Sequence, residues 1–228
     1  MAHKIKIITL PMPIHMGMVN AYLIDARSGH LLIDTGSSSA REELCAELEN
    51  CGCTSYSLKL VVLTHGDFDH IGNAAYLRKT YGVKIAMHAD DFGMAERGDM
   101  FVNRKKPNII IKVLMPIFSG FGRNQRFTPD ILLVDGYEFS EYGFDARVVS
   151  LPGHSKGSIG ILTSKGELFC GDLFENMKGP TLNSLMDDHA AAKDSIENLD
   201  AMEIMMVYPG HGQPFTMEML KNNKAKAA

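Results

Sequence analysis

Between Thr64 and His70 the chain reads Thr-His-Gly-Asp-Phe-Asp-His, which places His65, Asp67, Asp69 and His70 within six residues. Two imidazoles and two carboxylates form a donor set suited to zinc, iron or manganese, and the lack of a thiolate among them excludes a closed cysteine site. If a strand ends just before this segment, His65 and Asp67 leave it on the same side, because residues two apart share a face. Three more residues stand in a common context: His154 in Leu-Pro-Gly-His-Ser, Asp172 in Cys-Gly-Asp, and His211 in Tyr-Pro-Gly-His-Gly. The glycine before each lets the backbone turn sharply and lets a metal or substrate approach. Each is also expected to follow a strand, and the strand ends of an α/β sheet are where loops build sites. One histidine in such a place is usually a core or surface residue; seven donors in such places point to a metal centre.

The elements that must hold these donors alternate along the chain. Extended runs are expected at residues 5–9 and 21–26, then at 30–34 after a turn at Arg27-Ser28-Gly29. Ser39 followed by Glu42 fits a capping box opening a helix, with Leu44, Leu48 and Cys51 along one face and Gly52 at its end. Residues 58–63 read as a buried strand running into the His65 cluster. A helix at 71–81 closed by Gly82 and a strand at 84–88 follow. Strands are expected near 131–134 and 144–149, a hairpin from 158–163 to 167–170, a helix at 188–199, a strand at 205–208 and a short helix from about Thr216. His189 is expected to start its helix beside Asp187 and Asp188, while His3, His30 and His88 read as solvated or structural.

Composition narrows the function. Apolar residues make up 45% and charged residues 22% of 228 residues, the balance of a globular chain with a real core. A net charge of −4 argues against duplex nucleic acid as a partner, since phosphate neutralisation needs a basic face. No run approaches eighteen apolar residues and the N-terminus lacks a signal-peptide core, so neither membrane span nor secretion is expected. Cys45, Cys51, Cys53 and Cys170 show no paired framework and read as reduced thiols of a cytoplasmic protein. No repeat or linker divides the chain, so one α/β domain is expected over residues 1–228.

The sequence resembles the metallo-β-lactamase superfamily. The likeness is carried by Leu32-Ile33-Asp34-Thr35-Gly36, the cluster from His65 to His70, Gly153-His154, Gly171-Asp172 and Pro209-Gly210-His211, in the family's order. The resemblance implies a four-layer αββα sandwich with two divalent metal ions at one edge, zinc by family habit. It implies His65, Asp67 and His154 on the first ion; Asp69, His70 and His211 on the second; Asp172 bridging; and Asp34 orienting a ligand from behind. It also implies hydrolysis of a small-molecule ester, thioester, lactone or phosphodiester by hydroxide generated at the metals, with Asp69 orienting the nucleophile or passing a proton to the leaving group.

One residue departs from the family pattern. A second histidine is usual where this chain has Asp67, and the added carboxylate should favour a harder ion such as iron or manganese. The flavodiiron branch carries a glutamate at this place, so a di-iron redox protein handling oxygen or a related small molecule is the rival expectation. A glutathione thioester is disfavoured on the ground that glyoxalase II-like enzymes have an added C-terminal helical region. Residues 92–128 are expected to form either a core or homodimer contact or a lid over the metals, and Arg104-Lys105-Lys106 within them reads as a solvated face. His15, ahead of Asn20-Ala21-Tyr22, is expected to stay outside the chemistry.

Overall fold

The computed structural model describes residues 3–104 and 125–227. Most of the stretch expected to be a lid or dimer contact, Lys105 and Lys106 included, lies outside the described residues.

Alternation of apolar side chains dictates the layers. In β1 (Lys4–Pro11), β2 (Met18–Ala26) and β3 (Gly29–Ile33), an antiparallel meander forms around the two-residue turn between Ala26 and Gly29. Strands β4 (Leu58–Val62), β5 (Lys84–His88) and β6 (Ile131–Leu133) extend the sheet in parallel, giving the order β1-β2-β3-β4-β5-β6. Val19, Ala21, Leu23, Leu32, Val61, Ile85 and Met87 face one side, where α1 (Arg41–Asn50), α3 (Ala74–Tyr81) and α4 (Phe92–Arg97) supply Leu44, Leu48, Leu77 and Ala95. The intervening residues Tyr22, Ile24, Leu31, Ile33, Leu60, Val62 and Ala86 face the other side. Because side chains on a strand alternate, both faces of this sheet are buried.

A second sheet closes over that inner face. It comprises β7 (Ala146–Ser150), β8 (Ile159–Thr163), β9 (Glu167–Asn176), β11 (Met206–Gly212) and β12 (Phe215–Thr216), in the order β12-β11-β9-β8-β7, with β10 (Thr181–Leu182) on β9. Val148, Ile161 and Phe169 meet the first sheet. Val149, Leu162, Leu168 and Cys170 point outward, in one apolar cluster with Ala192 and Leu199 of α5 (His189–Asp200) and Leu220 of α6 (Met217–Ala227). The layers are therefore α, β, β, α, as the resemblance implies.

Three local expectations are corrected. Ser39 does not cap α1: a 3-10 turn at Ser38–Ala40 precedes the helix, and Ser37 accepts the Ser39 N–H. The helix expected at 71–81 is two pieces, α2 (Phe68–Ile71) and α3, because Asn73 between them bonds the carbonyls of Thr35 and Ser37 at 2.8 and 2.9 Å. Asp172 and His211 do not follow strands but lie within β9 and β11, which continue past the expected ends. Those two strands run parallel, and their register slips between Tyr208 and Pro209 and between Pro209 and His211. Irregularities of this kind re-aim side chains beside functional sites. The expected start of α5 holds: Asp188 caps it, accepting from Ala190 and Ala191 at 2.9 and 3.0 Å, with His189 as the first helical residue.

Candidate metal centre

The four-layer stack brings the ends of β3 and β4, the loop after β7, the middle of β9 and the last residues of β11 to one edge. Asp34 follows β3 with φ +59°, a left-handed conformation uncommon outside glycine that aims its carboxylate across the edge. There it accepts the Thr64 backbone N–H at 2.8 Å, the Thr64 hydroxyl at 2.7 Å and the His70 Nδ1–H at 2.9 Å. The Thr64 hydrogen being committed to Asp34, its oxygen accepts from His65 Nδ1 at 3.0 Å. One aspartate thus orients two imidazoles, the first directly and the second through a threonine, as metal sites generally require.

The other two imidazoles are held in the same way. His154 Nδ1 donates to the Leu185 carbonyl at 2.5 Å, and His211 Nδ1 to the Met18 carbonyl at 2.8 Å. With Nδ1 carrying a hydrogen on all four rings, each turns its Nε2 to the common space. His65 Nε2, His70 Nε2 and Asp172 Oδ1 are buried there without a hydrogen bond. Orphaned buried acceptors are costly unless something fills the space between them. Two groups of ligand atoms, each within 4.8 Å of one another, meet that need: His65, His154 and Asp172, and Asp69, His70 and His211. This donor set, four imidazole nitrogens with carboxylates, fits divalent transition metals.

Asp172 stands between the groups, 3.3 Å from both His70 Nε2 and His211 Nε2 and 3.9 Å from His154 Nε2. Burial favours its neutral form, but His211 and His70 hold its carboxyl well below the usual range. Burial likewise opposes charge on His211, yet Asp172 and Asp69 push it up to about 11. His65 is pulled down by burial and by the neighbouring His70 and His154. The glycines before the ligands leave no room for a side chain. A Cβ on Gly171 would meet Thr64 Oγ1 at 2.7 Å, and one on Gly210 would collide with Asp172 and come within 2.7 Å of His70.

Asp67 sits at the edge of the first group, with Oδ2 2.9 Å from His154 Nε2 and 3.7 Å from His65 Nε2. Its other oxygen is bound by Arg104 Nη1. Arg104 therefore does not belong to a solvated face: its side chain is 8% exposed, and it also bonds Asp187 at 2.5 Å and the His154 carbonyl at 3.2 Å. The extra negative charge expected from Asp67 has a cation against it. Burial would raise the Asp67 carboxyl, but Arg104 and His154 bring it far below the usual range.

Two further features escaped the motif reading. Asp91, fully buried, accepts from the Gly66 N–H at 2.9 Å, the Ser155 hydroxyl at 2.6 Å and the Gly157 N–H at 2.9 Å. It clamps the His65 loop to the His154 loop; a lone aspartate after a strand gives no sequence signal for this. Asn20 donates to the carbonyls of Pro209 and Gly212 at 3.1 and 2.7 Å, and Tyr22 donates to Pro209, so β2 fixes the His211 segment. Ser155 has the Gly153-x-Ser155-x-Gly157 spacing of a nucleophile elbow. Its hydroxyl is spent on Asp91 and Ser158, and His154 directs Nε2 at Asp67 instead, so Ser155 is a strut. His15 is exposed, and His3 pairs with Glu167 at 2.7 Å, away from the centre.

A cleft of about 640 Å³ opens beside the first group, bordered by Asp67, Phe101, Arg104, His154, Leu185 and Met186. No helix among the described residues is long and apolar enough to cross a membrane.

Comparisons with known proteins give the chain a family. The pattern of the metallo-beta-lactamase superfamily matches residues 16–211. The chain is 28% identical to hydroxyacylglutathione hydrolase GloC of Haemophilus influenzae, over 92% of this chain and 93% of that one. It is 44% identical to human metallo-beta-lactamase domain-containing protein 1 over 87% of this chain, but spans only 64% of the human protein, and it covers under two thirds of several other relatives. Among solved structures, TTHA1623 in a di-iron-bound form superposes with a TM-score of 0.70 at 26% identity, covering 92% of this chain and 95% of that one. Fold and sequence pattern coincide, and the chain belongs to the metallo-beta-lactamase superfamily.

Proposed function

We propose that the protein is a dinuclear metal-dependent hydrolase of acyl esters or thioesters, with lactones and phosphodiesters as further substrates to test. The observation that carries this reading is the inward presentation of four Nε2 atoms around Asp172, two of them orphaned with one of its oxygens. Two divalent ions bound there would supply an activated water and polarise the scissile carbonyl. His65, His154 and Asp172 would hold one ion, with Asp67 beside them; Asp69, His70 and His211 would hold the other, with Asp172 shared.

The residues themselves divide the remaining work. Asp69 is buried, and its Oδ2 lies 3.4 Å from His211 Nε2, so its carboxylate can hold a proton between nucleophile and leaving group. Phe101, Leu185 and Met186 give the cleft an apolar wall suited to an acyl chain. GloC is named as a hydroxyacylglutathione hydrolase, and this chain spans 93% of it. That likeness removes the ground for disfavouring a glutathione thioester, and that substrate returns to the panel. The rival di-iron redox reading drew on the charge of Asp67, which Arg104 offsets. TTHA1623 in its di-iron form keeps iron among the ions to assay.

The test begins with elemental analysis of protein purified without added metal. Turnover is then measured on a thioester, an aryl ester, a lactone and a phosphodiester, before and after chelation. Chelator-sensitive hydrolysis of an acyl substrate is the expected result. Two irons with an oxygen-sensitive visible band and no hydrolysis of any substrate would overturn it.

A further inference from the structure

The two oxygens of the Asp67 carboxylate have different surroundings. Oδ2 faces His154 and His65, while Oδ1 is taken by Arg104. The guanidinium is placed by three anchors: Asp67, Asp187 just ahead of α5, and the carbonyl of His154. A planar fork of fixed donors suits this task better than the point charge of a lysine. Both partners are withdrawn from solvent, with side-chain exposures of 8% for Arg104 and 9% for Asp67. Without Arg104 the carboxylate adds a full anion to the ligand cage, and without Asp67 the guanidinium, held by Asp187 alone, presents its charge to a cation. On the side facing the ligands Asp67 and Arg104 sum to zero, as a neutral imidazole would, while Asp187 holds the far side of the guanidinium.

We propose that Arg104 is the positioning residue for Asp67, cancelling its charge and turning Oδ2 toward His65 and His154, so that an aspartate–arginine pair takes the place of one neutral histidine beside the first metal position. This rests on reading His65, His154 and Asp172 as a metal position. It assigns a task to a residue from the stretch between β5 and β6, which lies far in sequence from the other site residues. It also makes the two side chains interdependent: removing Arg104 leaves the Asp67 anion alone beside the ion, and removing Asp67 leaves Arg104 paired with Asp187 only.

A double-mutant cycle read by metal binding tests this. Zinc and, separately, manganese are titrated into the metal-free full-length protein, with stoichiometry and affinity followed by calorimetry and cobalt absorption as the spectroscopic check. Asp67→His leaves Arg104 facing the ion, and zinc affinity at one of the two positions should fall at least about tenfold. Arg104→Met keeps the apolar stem without the charge, and should raise the preference for manganese over zinc by about tenfold. The double variant Asp67→His/Arg104→Met should bind zinc within about threefold of the parent, because the coupling of paired charges cancels. Arg104→Lys restores the charge and should return most of the parent's metal preference.

A double variant no tighter than Asp67→His alone, or single variants with unchanged metal preference, would overturn the proposal. Should Asp67→His fail to fold by circular dichroism, the contrast between Arg104→Met and Arg104→Lys decides by the same metal preference. Parent protein that binds no stoichiometric metal would instead defeat the metal reading of the whole site, a result separable from either of these.

Discussion

Asp34 and Asp172 bracket the candidate centre from opposite sides, and their substitutions should differ in kind. Asp172 is common to both ligand neighbourhoods, so Asp172→Ala should lose at least one of two bound ions; full occupancy by elemental analysis would contradict a shared ligand. Asp34 touches no ligand space but aligns His70 and, through Thr64, His65. Asp34→Ala should keep the metal stoichiometry at high metal while weakening affinity by about 10- to 100-fold, as measured for such outer partners. Proton linkage gives a further check. In the metal-free protein His211 titrates at about 11, so at neutral pH it carries a proton that a metal must displace. The Asp172 carboxyl is held below its usual range and is already ionised, so it releases none. Metal binding at pH 7 should therefore release protons, and affinity should rise with pH. Calorimetry in buffers of different ionisation enthalpy reads this directly, and no buffer dependence would refute it.

Elements matter because they decide how far apart the ligands stand. Asp91, just after β5, ties Gly66 to Ser155 and Gly157 and so sets the gap between the His65 and His154 loops. Asp91→Ala leaves the buried Gly66 and Gly157 N–H groups unsatisfied, each worth about 1–3 kcal/mol, and should lower the melting temperature as well as occupancy of the first metal position. A variant with parental melting and metal content would show the clamp to be idle. The Thr64–His70 segment and the glycines before His154, Asp172 and His211 were legible in the sequence, because their residue types are short-range signals. The course of β9 and β11 through Asp172 and His211 was not. Its cause is a parallel pairing between distant segments, with register slips that no local pattern records. The capping box at Ser39 failed for a similar reason: Ser37 bonds first and winds a 3-10 turn ahead of the helix.

At the level of the whole molecule, the site is an edge feature of two sheets packed face to face, and its geometry depends on the layer between them. Phe169 is fully buried in that layer and its ring lies 5.1 Å from Tyr22, which itself bonds the Pro209 carbonyl. Phe169→Ala should cost about 3–5 kcal/mol of stability, read by denaturant unfolding. Bound metal should offset part of that loss by mass action, so the melting temperature of this variant should climb with added zinc. The chain's sequence by itself determined the alternating α/β order, the buried strand at 58–63, the family, and which residues stand as candidate donors with Asp34, since residue type, local period and motif order carry all of these. Only the tertiary structure decided that Arg104 neutralises Asp67, that Asp91 braces two ligand loops, and that Asn20 and Tyr22 fasten the His211 segment. Those are contacts between residues 25 or more positions apart. Lone polar residues carry no periodicity, and their partners are chosen only when the two sheets close and water leaves the edge.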